Sequence, residues 1–298
     1  MSRLATITNK GAIDLQFHEL TQNELPLVER LVREAGALVR SFYENGVEVA
    51  WKGVNDPVTA ADHTANAHLV AGLRAVYPED GILAEESADN TYRLSRNRVW
   101  IIDPLDGTKE FIGKINEFSV MVGLAIDGVP ALGVVYQPIA DVLYRGVPGV
   151  LAEVVTQGDL ASLAVSDVSD ATQMRLVASR SHRDPLVSAV CQELGITQDR
   201  PSGSVGLKIG LLATAICDLY IHPSPGLKEW DTCAPEAILR AAGGTLSDSW
   251  GRSLLYNKAD VRQRQGLVAS NGRLHAEIVT ATARAAEAAG YRTKTGFW

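Results

Sequence analysis

The stretch WIIDPLDGTKEF, residues 100–111, closes an apolar run on Asp103 and follows it with Asp106. Trp100, Ile101 and Ile102 read as a buried strand, and such strands rarely finish on two carboxylates without something to neutralise them. Pro104 fixes one backbone angle and Gly107 permits a sharp turn. Both carboxylates and the Leu105 carbonyl can then share one side of that turn. Hard oxygen donors of this kind suit Mg²⁺, Mn²⁺ or Ca²⁺. A helix starting after Gly107 would add free N–H groups and the Thr108 hydroxyl, which together can hold a phosphate beside the ion. An ordinary capped turn would explain the same two aspartates.

Three further segments carry acidic residues at junctions between elements: Glu85 and Glu86 in AEES, Asp56 and Asp62 in DPVTAADH, and Asp231 in EWDTCAPEAIL. Each has a plain reading. The glutamates suit a solvated loop, Asp56 a turn before Pro57, Asp62 a capping role at a helix start, and Asp231 an N-cap. Taken together they form a candidate cluster. Packed carboxylates oppose one another's ionisation and repel a phosphate ester, whereas bound divalent cations reverse both effects. Two neighbouring ions can activate a water and stabilise a leaving oxygen, so phosphate-ester hydrolysis is the natural chemistry. A phosphoaspartate mechanism is disfavoured, because its DxDxT pattern has one residue between the aspartates where D-P-L-D has two. GSVGLKIG lacks P-loop spacing, and neither an HExxH pair nor a GxSxG elbow is present.

Elements at the right places are needed to position these groups. Helical spacing predicts helices over 22–44 and from Ala60 to Val76, with GILAEES a short strand. FSVMVGLAIDGVPALGVVYQPI predicts a hairpin about Asp127-Gly128, and DVLYRGVPG a further strand. A half-domain boundary is placed near residue 165, giving an N-terminal α+β half (1–165) and a C-terminal α/β half (166–298). In the latter, RLVASRS, CDLYIHP and GLVASN read as strands, and DPLVSAVCQELG, GLKIGLLATAI, TCAPEAILRAAGG and GRLHAEIVTATARAAEAAG as helices. The order suggests layered sheets with helices between and outside them. A length of 298 residues, 46% hydrophobic, supports a substantial core. The net charge of −7 argues against nonspecific nucleic-acid binding. No apolar stretch approaches the roughly 18 residues of a membrane span, and the start lacks a signal-peptide block. Three cysteines without CxxC spacing argue against a disulfide framework, so the expectation is a cytoplasmic protein.

The motifs resemble those of the lithium-sensitive, metal-dependent phosphatases related to inositol monophosphatase: an apolar run into D-P-[IL]-D-G-T, an upstream EES, and a downstream WD before a helix. All three occur here in order, over roughly residues 55–245. DPLDGTKEF, SPGLKEWDTCAPEAIL, ASRSH and GLKIG are most similar to the 3′(2′),5′-bisphosphate nucleotidases. The resemblance implies an α+β fold, a layered α-β-α-β-α sandwich of the sugar-phosphatase type. It implies two or three Mg²⁺ ions, or Mn²⁺ in their place, held by Glu85, Asp103, the Leu105 carbonyl, Asp106 and Asp231. It makes Asp62 and Thr108 the pair that orients and deprotonates the attacking water. Gly107 and Thr108 N–H groups would hold the scissile phosphate, and Ser179, His182, Ser204, Lys208 and Asp231 the rest of the substrate.

Two of these positions depart from the pattern, with Ser179 in place of threonine and Ser204 in place of glycine. Lys208 has a rival reading as an exposed lysine on a helix whose apolar face is Leu207, Leu211, Leu212 and Ile216. The implied activity is removal of the 3′-phosphate from 3′-phosphoadenosine 5′-phosphate, clearing a by-product of sulfate assimilation. The alternatives are an inositol (poly)phosphate phosphatase and a non-catalytic metal- or nucleotide-binding protein. The expected partner is a small phosphorylated substrate, with no nucleic acid or membrane, and the chain acts as a monomer or homodimer.

Overall fold

The computed structural model describes residues 19–46, 49–53, 56–180 and 184–290. Helix α1 (Leu25–Asn45) follows one π-helical turn and buries Val28, Leu31, Val32, Ala35 and Val39. A hairpin of β1 (Val49–Gly53) and β2 (Asp56–Thr59) leads into α2 (Ala60–Val76), which buries Ala61, Ala65, Leu69 and Leu73. Steps of three and four residues put each set on one helix face.

The two helices cover one side of a seven-stranded sheet. Its strands are β3 (Gly81–Ala84), β4 (Arg98–Asp106), β5 (Ser119–Ile126), β6 (Val129–Gln137), β7 (Val142–Val147), β8 (Leu151–Thr156) and β9 (Asp159–Ser162), in that spatial order. Only β3 and β4 are parallel; the rest is an antiparallel meander. The β5–β6 turn is the one expected at Asp127-Gly128, with φ 51° and 78°, as a tight two-residue hairpin requires. Trp100 and Ile102 of β4 enter the core under α1 and α2, while Val99 and Ile101 enter the core on the other face. A strand buried on both faces is why this run is continuously apolar rather than alternating.

A short helix α3 (Thr108–Ile112) leaves the end of β4. The rest of the chain supplies β10 (Arg175–Ser179), α4 (Pro185–Leu194), β11 (Gln198–Ser202), α5 (Val205–Ala213), β12 (Leu219–His222), α6 (Glu229–Ala241), β13 (Thr245–Ser247), β14 (Leu267–Ser270) and α7 (His275–Ala288). The second sheet runs β11-β10-β12-β14-β13. Helices α5 and α6 lie between the two sheets, and α4 and α7 pack together on the far side. The result is the expected layered α-β-α-β-α sandwich.

One line of glycines sets how closely α6 lies on the first sheet. Gly123, Gly133 and Gly146 are register partners across β5, β6 and β7. A Cβ at Gly133 would stand 2.2 Å from Ala234 O, one at Gly123 2.8 Å from Ala234 N, and one at Gly146 2.7 Å from Ile238 Cα. Backbone of α6 therefore rests on backbone of the sheet.

Strands β1, β2, β8, β9, β11 and β13 lie outside the sequence-based expectations. Helix α5 also ends earlier than its pattern suggests. Thr214 closes it, Ile216 is 44% exposed, and Val205 through Gly210 are all buried, so the helix has no single apolar face.

Candidate active site

The C-terminal end of β4 and the first turn of α6 bring three carboxylates together. One ligand oxygen from each of Asp103, Asp106 and Asp231 lies within 4.8 Å of the others. Asp103 and Asp106 are buried, whereas Asp231 is partly open. The pairing of β4 with β5 is broken between Asp103 and Asp106, so the two aspartates do not alternate faces as strand neighbours would. Leu105 N–H donates to Asp103 Oδ1 at 3.1 Å. Gly107 turns the chain at φ 95°, and a side chain there would meet Glu117 O at 2.9 Å. Glycine is required on both counts.

Burial pushes Asp103 well above the ordinary carboxylate range, and Glu85, then Asp106 and Asp231, push it further. Asp231 is raised to about 8 by burial and by Glu85 and Asp106. Burial also raises Asp106, against which Lys208, Ser204 and the Gly206 N–H work. Glu85, half-buried just beyond β3, thus belongs to the same electrostatic unit. Oxygen-only donors, mutually repelling and largely buried, are the donor set of a hard divalent cation. The Leu105 carbonyl accepts the Thr108 hydroxyl at 3.1 Å and keeps a second lone pair.

Asp62 reconciles both of its readings. It is the third residue of α2, and its Oδ2 accepts from Thr59 N at 2.8 Å and Thr59 Oγ1 at 2.6 Å, closing a capping box. Its Oδ1 faces Thr108 Oγ1 at 3.3 Å. One carboxylate serves the helix start with one oxygen and the site with the other. Burial, with Glu86 adding to it, raises Asp62 despite the Thr59 bonds. Asp231 repeats the arrangement. The sequence suggests an N-cap, but α6 begins at Glu229, which puts Asp231 at its third position with Oδ2 accepting from Lys228 N at 2.6 Å.

The expected substrate residues are dispersed. Ser179 ends β10 on the rim of a cleft of about 280 Å³ lined also by Asp184, Ile221, His222 and Ser224. His182 lies outside the described residues. Strand pairing places Ser179 beside Ser202, two residues from the Ser204 that bonds Asp106. Ser204 is buried, and its hydroxyl donates to Asp106 Oδ2 at 2.6 Å instead of facing the cleft. It sits at φ 51°, ψ 131°, a conformation costing a non-glycine residue about 1–3 kcal/mol. Lys208 is neither exposed nor extended: 4% accessible, it donates to Ser204 O at 3.0 Å and lies 5.3 Å from the Tyr220 ring centroid.

Two contributors escaped the sequence reading. Ser119 is the cross-strand partner of Asp106, fully buried, with Oγ 2.9 Å from Ser204 Oγ. A lone hydroxyl opening the apolar run SVMVGLAI was its signal. Glu117 accepts both Arg180 Nε at 2.9 Å and Nη2 at 2.6 Å, and the Gly203 N–H at 2.7 Å, tying the turn before α5 to the loop after α3. Partners 63 residues apart leave no local pattern.

Known proteins match this chain along most of its length. It is 37% identical over 235 residues to a 3′(2′),5′-bisphosphate nucleotidase CysQ of Escherichia coli (strain K12), covering 78% of this chain and 93% of that one. It is 34% identical over 243 residues to the CysQ of Aggregatibacter actinomycetemcomitans, covering 81% and 90%. The crystal structure of CysQ from Bacteroides thetaiotaomicron, described as a bacterial member of the inositol monophosphatase family, superposes with a TM-score of 0.72 at 30% identity, covering 84% and 98%. A sequence model of the inositol monophosphatase family matches residues 22–287. Its motifs, its layered fold and this match agree: the chain belongs to the inositol monophosphatase family and is a hydrolase of that family.

Proposed function

We propose that the protein is a Mg²⁺-dependent phosphomonoesterase that removes the 3′-phosphate of 3′-phosphoadenosine 5′-phosphate, giving AMP and phosphate. The observation that carries the reading is the meeting of the three-carboxylate cluster with the Thr108–Asp62 pair. The choice of nucleotide is supported by the names of the CysQ relatives. Two or three Mg²⁺ ions, held by Glu85, Asp103, the Leu105 carbonyl, Asp106 and Asp231, would supply charge neutralisation and activate the attacking water.

The protein's own groups do the rest. Two acceptors stand within reach of the one Thr108 hydroxyl hydrogen, the Leu105 carbonyl at 3.1 Å and Asp62 Oδ1 at 3.3 Å; in the reacting arrangement Asp62 takes it, which turns the Thr108 lone pair toward a water and fixes its direction. Proton transfer then runs from water through Thr108 to Asp62, whose burial makes it a better acceptor than an ordinary aspartate. Gly107 and Thr108 N–H groups hold the scissile phosphate. Lys208 places a buried positive charge behind the site, and Ser179 flanks the cleft for the nucleoside, with Asp231 meeting the substrate on the α6 side; the family resemblance assigns His182 to the same part of the substrate. Residues 1–165 carry the catalytic motifs, and 166–298 the substrate residues and last carboxylate. Among the described residues no helix is long and apolar enough to cross a membrane. Action in the cytoplasm on a by-product of sulfate assimilation, with inhibition by lithium, completes the reading.

The test is phosphate release with Mg²⁺ from 3′-phosphoadenosine 5′-phosphate, inositol 1-phosphate and inositol 1,4-bisphosphate. A nucleotide preference of about 100-fold in kcat/KM, or ~2.7 kcal/mol, is expected. The reverse preference would keep the phosphatase and overturn the nucleotide. No release from any of the three would favour a binding protein.

A further inference from the structure

Ser204 occupies a backbone conformation, φ 51° and ψ 131°, that glycine would adopt freely and serine does not. Capping α5 requires an acceptor, which Ser204 Oγ provides to Leu207 N at 3.1 Å. Its hydroxyl does more. The proton goes to Asp106 Oδ2 at 2.6 Å, so in the 2.9 Å contact with Ser119 it is Ser119 that donates. Gly206 N–H donates to the same carboxylate oxygen at 2.9 Å. Two donors thus occupy Oδ2, which leaves Oδ1 for a cation. The turn itself is wedged. A Cβ at Gly203 would meet Glu110 Cγ at 2.5 Å and Glu117 O at 2.7 Å, and Lys208 Nζ holds Ser204 O from the other side. All of these hydroxyl and carboxylate groups are buried.

We propose that Ser204 is a positioning residue for Asp106. Its hydroxyl, backed by Ser119, fixes Oδ2 so that Oδ1 points at the cation, and it makes no contact with substrate. The inference rests on the reading of Asp106 as a cation ligand and deepens it. Partners of this kind commonly change metal affinity by ~10–100-fold when removed.

The test titrates Mg²⁺ calorimetrically into substrate-free wild type, Ser204→Gly, Ser204→Ala and Ser119→Ala. Affinity is expected to fall by about tenfold or more in both Ser204 variants. Ser119→Ala should fall less, in the same direction, and it decides the matter should the Ser204 variants fail to fold. Ser204→Gly should melt higher than Ser204→Ala because glycine suits the backbone. At saturating Mg²⁺, KM for the phosphate ester that wild type cleaves fastest should match wild type. Folded variants with wild-type Mg²⁺ affinity overturn the inference alone, and a raised KM at saturating Mg²⁺ with unchanged affinity would make Ser204 a substrate contact instead. Absence of Mg²⁺ binding by wild type overturns the cation reading and this inference with it.

Discussion

Replacing Gly133 with alanine should damage a site to which Gly133 contributes no atom. The new Cβ would stand 2.2 Å from Ala234 O and 2.9 Å from Ala234 C and Cα, where ordinary contact begins near 3.4 Å. Neither partner is a side chain that can rotate away, so α6 must retreat from the sheet by about 1 Å. Overpacking of this kind costs about 1–3 kcal/mol. At roughly 2–4 °C per kcal/mol for a chain of this size, Tm should fall by about 2–12 °C. Asp231 sits three residues before Ala234 on the same helix and moves with it, away from Asp103 and Asp106. Metal sites tolerate only about 0.2 Å of ligand displacement, and a 1 Å misplacement costs about 100-fold in rate. The assay is a thermal melt with and without Mg²⁺, together with kcat/KM at several Mg²⁺ concentrations. Gly158→Ala is the control. Nothing lies within 4 Å of a Cβ there, but φ is 94°, so it should lose stability through its backbone and keep its Mg²⁺ dependence. A Gly133→Ala protein with wild-type Tm and Mg²⁺ response would show that the glycine line does not set the position of Asp231.

The pH dependence of the ion-free protein follows from Asp231. Folding raises this group from its unfolded value of 3.8 to about 8, so its contribution is fully present below about 4 and lost as pH rises through about 8. In EDTA, the Tm of wild type minus that of Asp231→Asn should therefore fall between pH 5 and pH 9, and Mg²⁺ should remove the slope; a flat difference would contradict the assignment. Asp62→Asn should lower kcat by ~10²–10⁴-fold with Mg²⁺ affinity largely kept. Phosphate release at the wild-type rate would mean that the proton does not pass through Asp62.

Helix and strand periodicity made much of this molecule legible. Residues 60–76 gave a helix with the expected bounds, and the apolar run of β4 gave a buried strand because both of its faces find cores. The elements that escaped are those whose stability comes from neighbours. Gln198–Ser202 is polar, contains Pro201 and survives only as an edge strand beside β10. Strands β8 and β9 are half-buried to exposed and continue a meander that their own residues hardly announce. In the site, the motif carboxylates were visible because motif and chemistry coincide in a few consecutive residues. Ser204 was read as facing the substrate, and its attachment to Asp106, 98 residues away, is decided by how α5 packs between the sheets. Asp62 looked like a capping residue or the water's proton acceptor, and Asp231 like a cap or a ligand; two oxygens per carboxylate let the capping bond leave one oxygen free to face the site.

The third carboxylate of the cluster has a consequence for the order in which the molecule comes into being. During synthesis the first sheet, complete by Ser162, is available long before Asp231 has been made. Until then Asp103 and Asp106 lack the α6 residue that completes the group, and the glycine line of β5, β6 and β7 is an empty track. Closing it joins residues 92 to 111 positions apart, contacts that slow folding because the loop must close before they form. The carboxylate triad is therefore complete only once α6 has been made and lies on the glycines, after every strand of the first sheet.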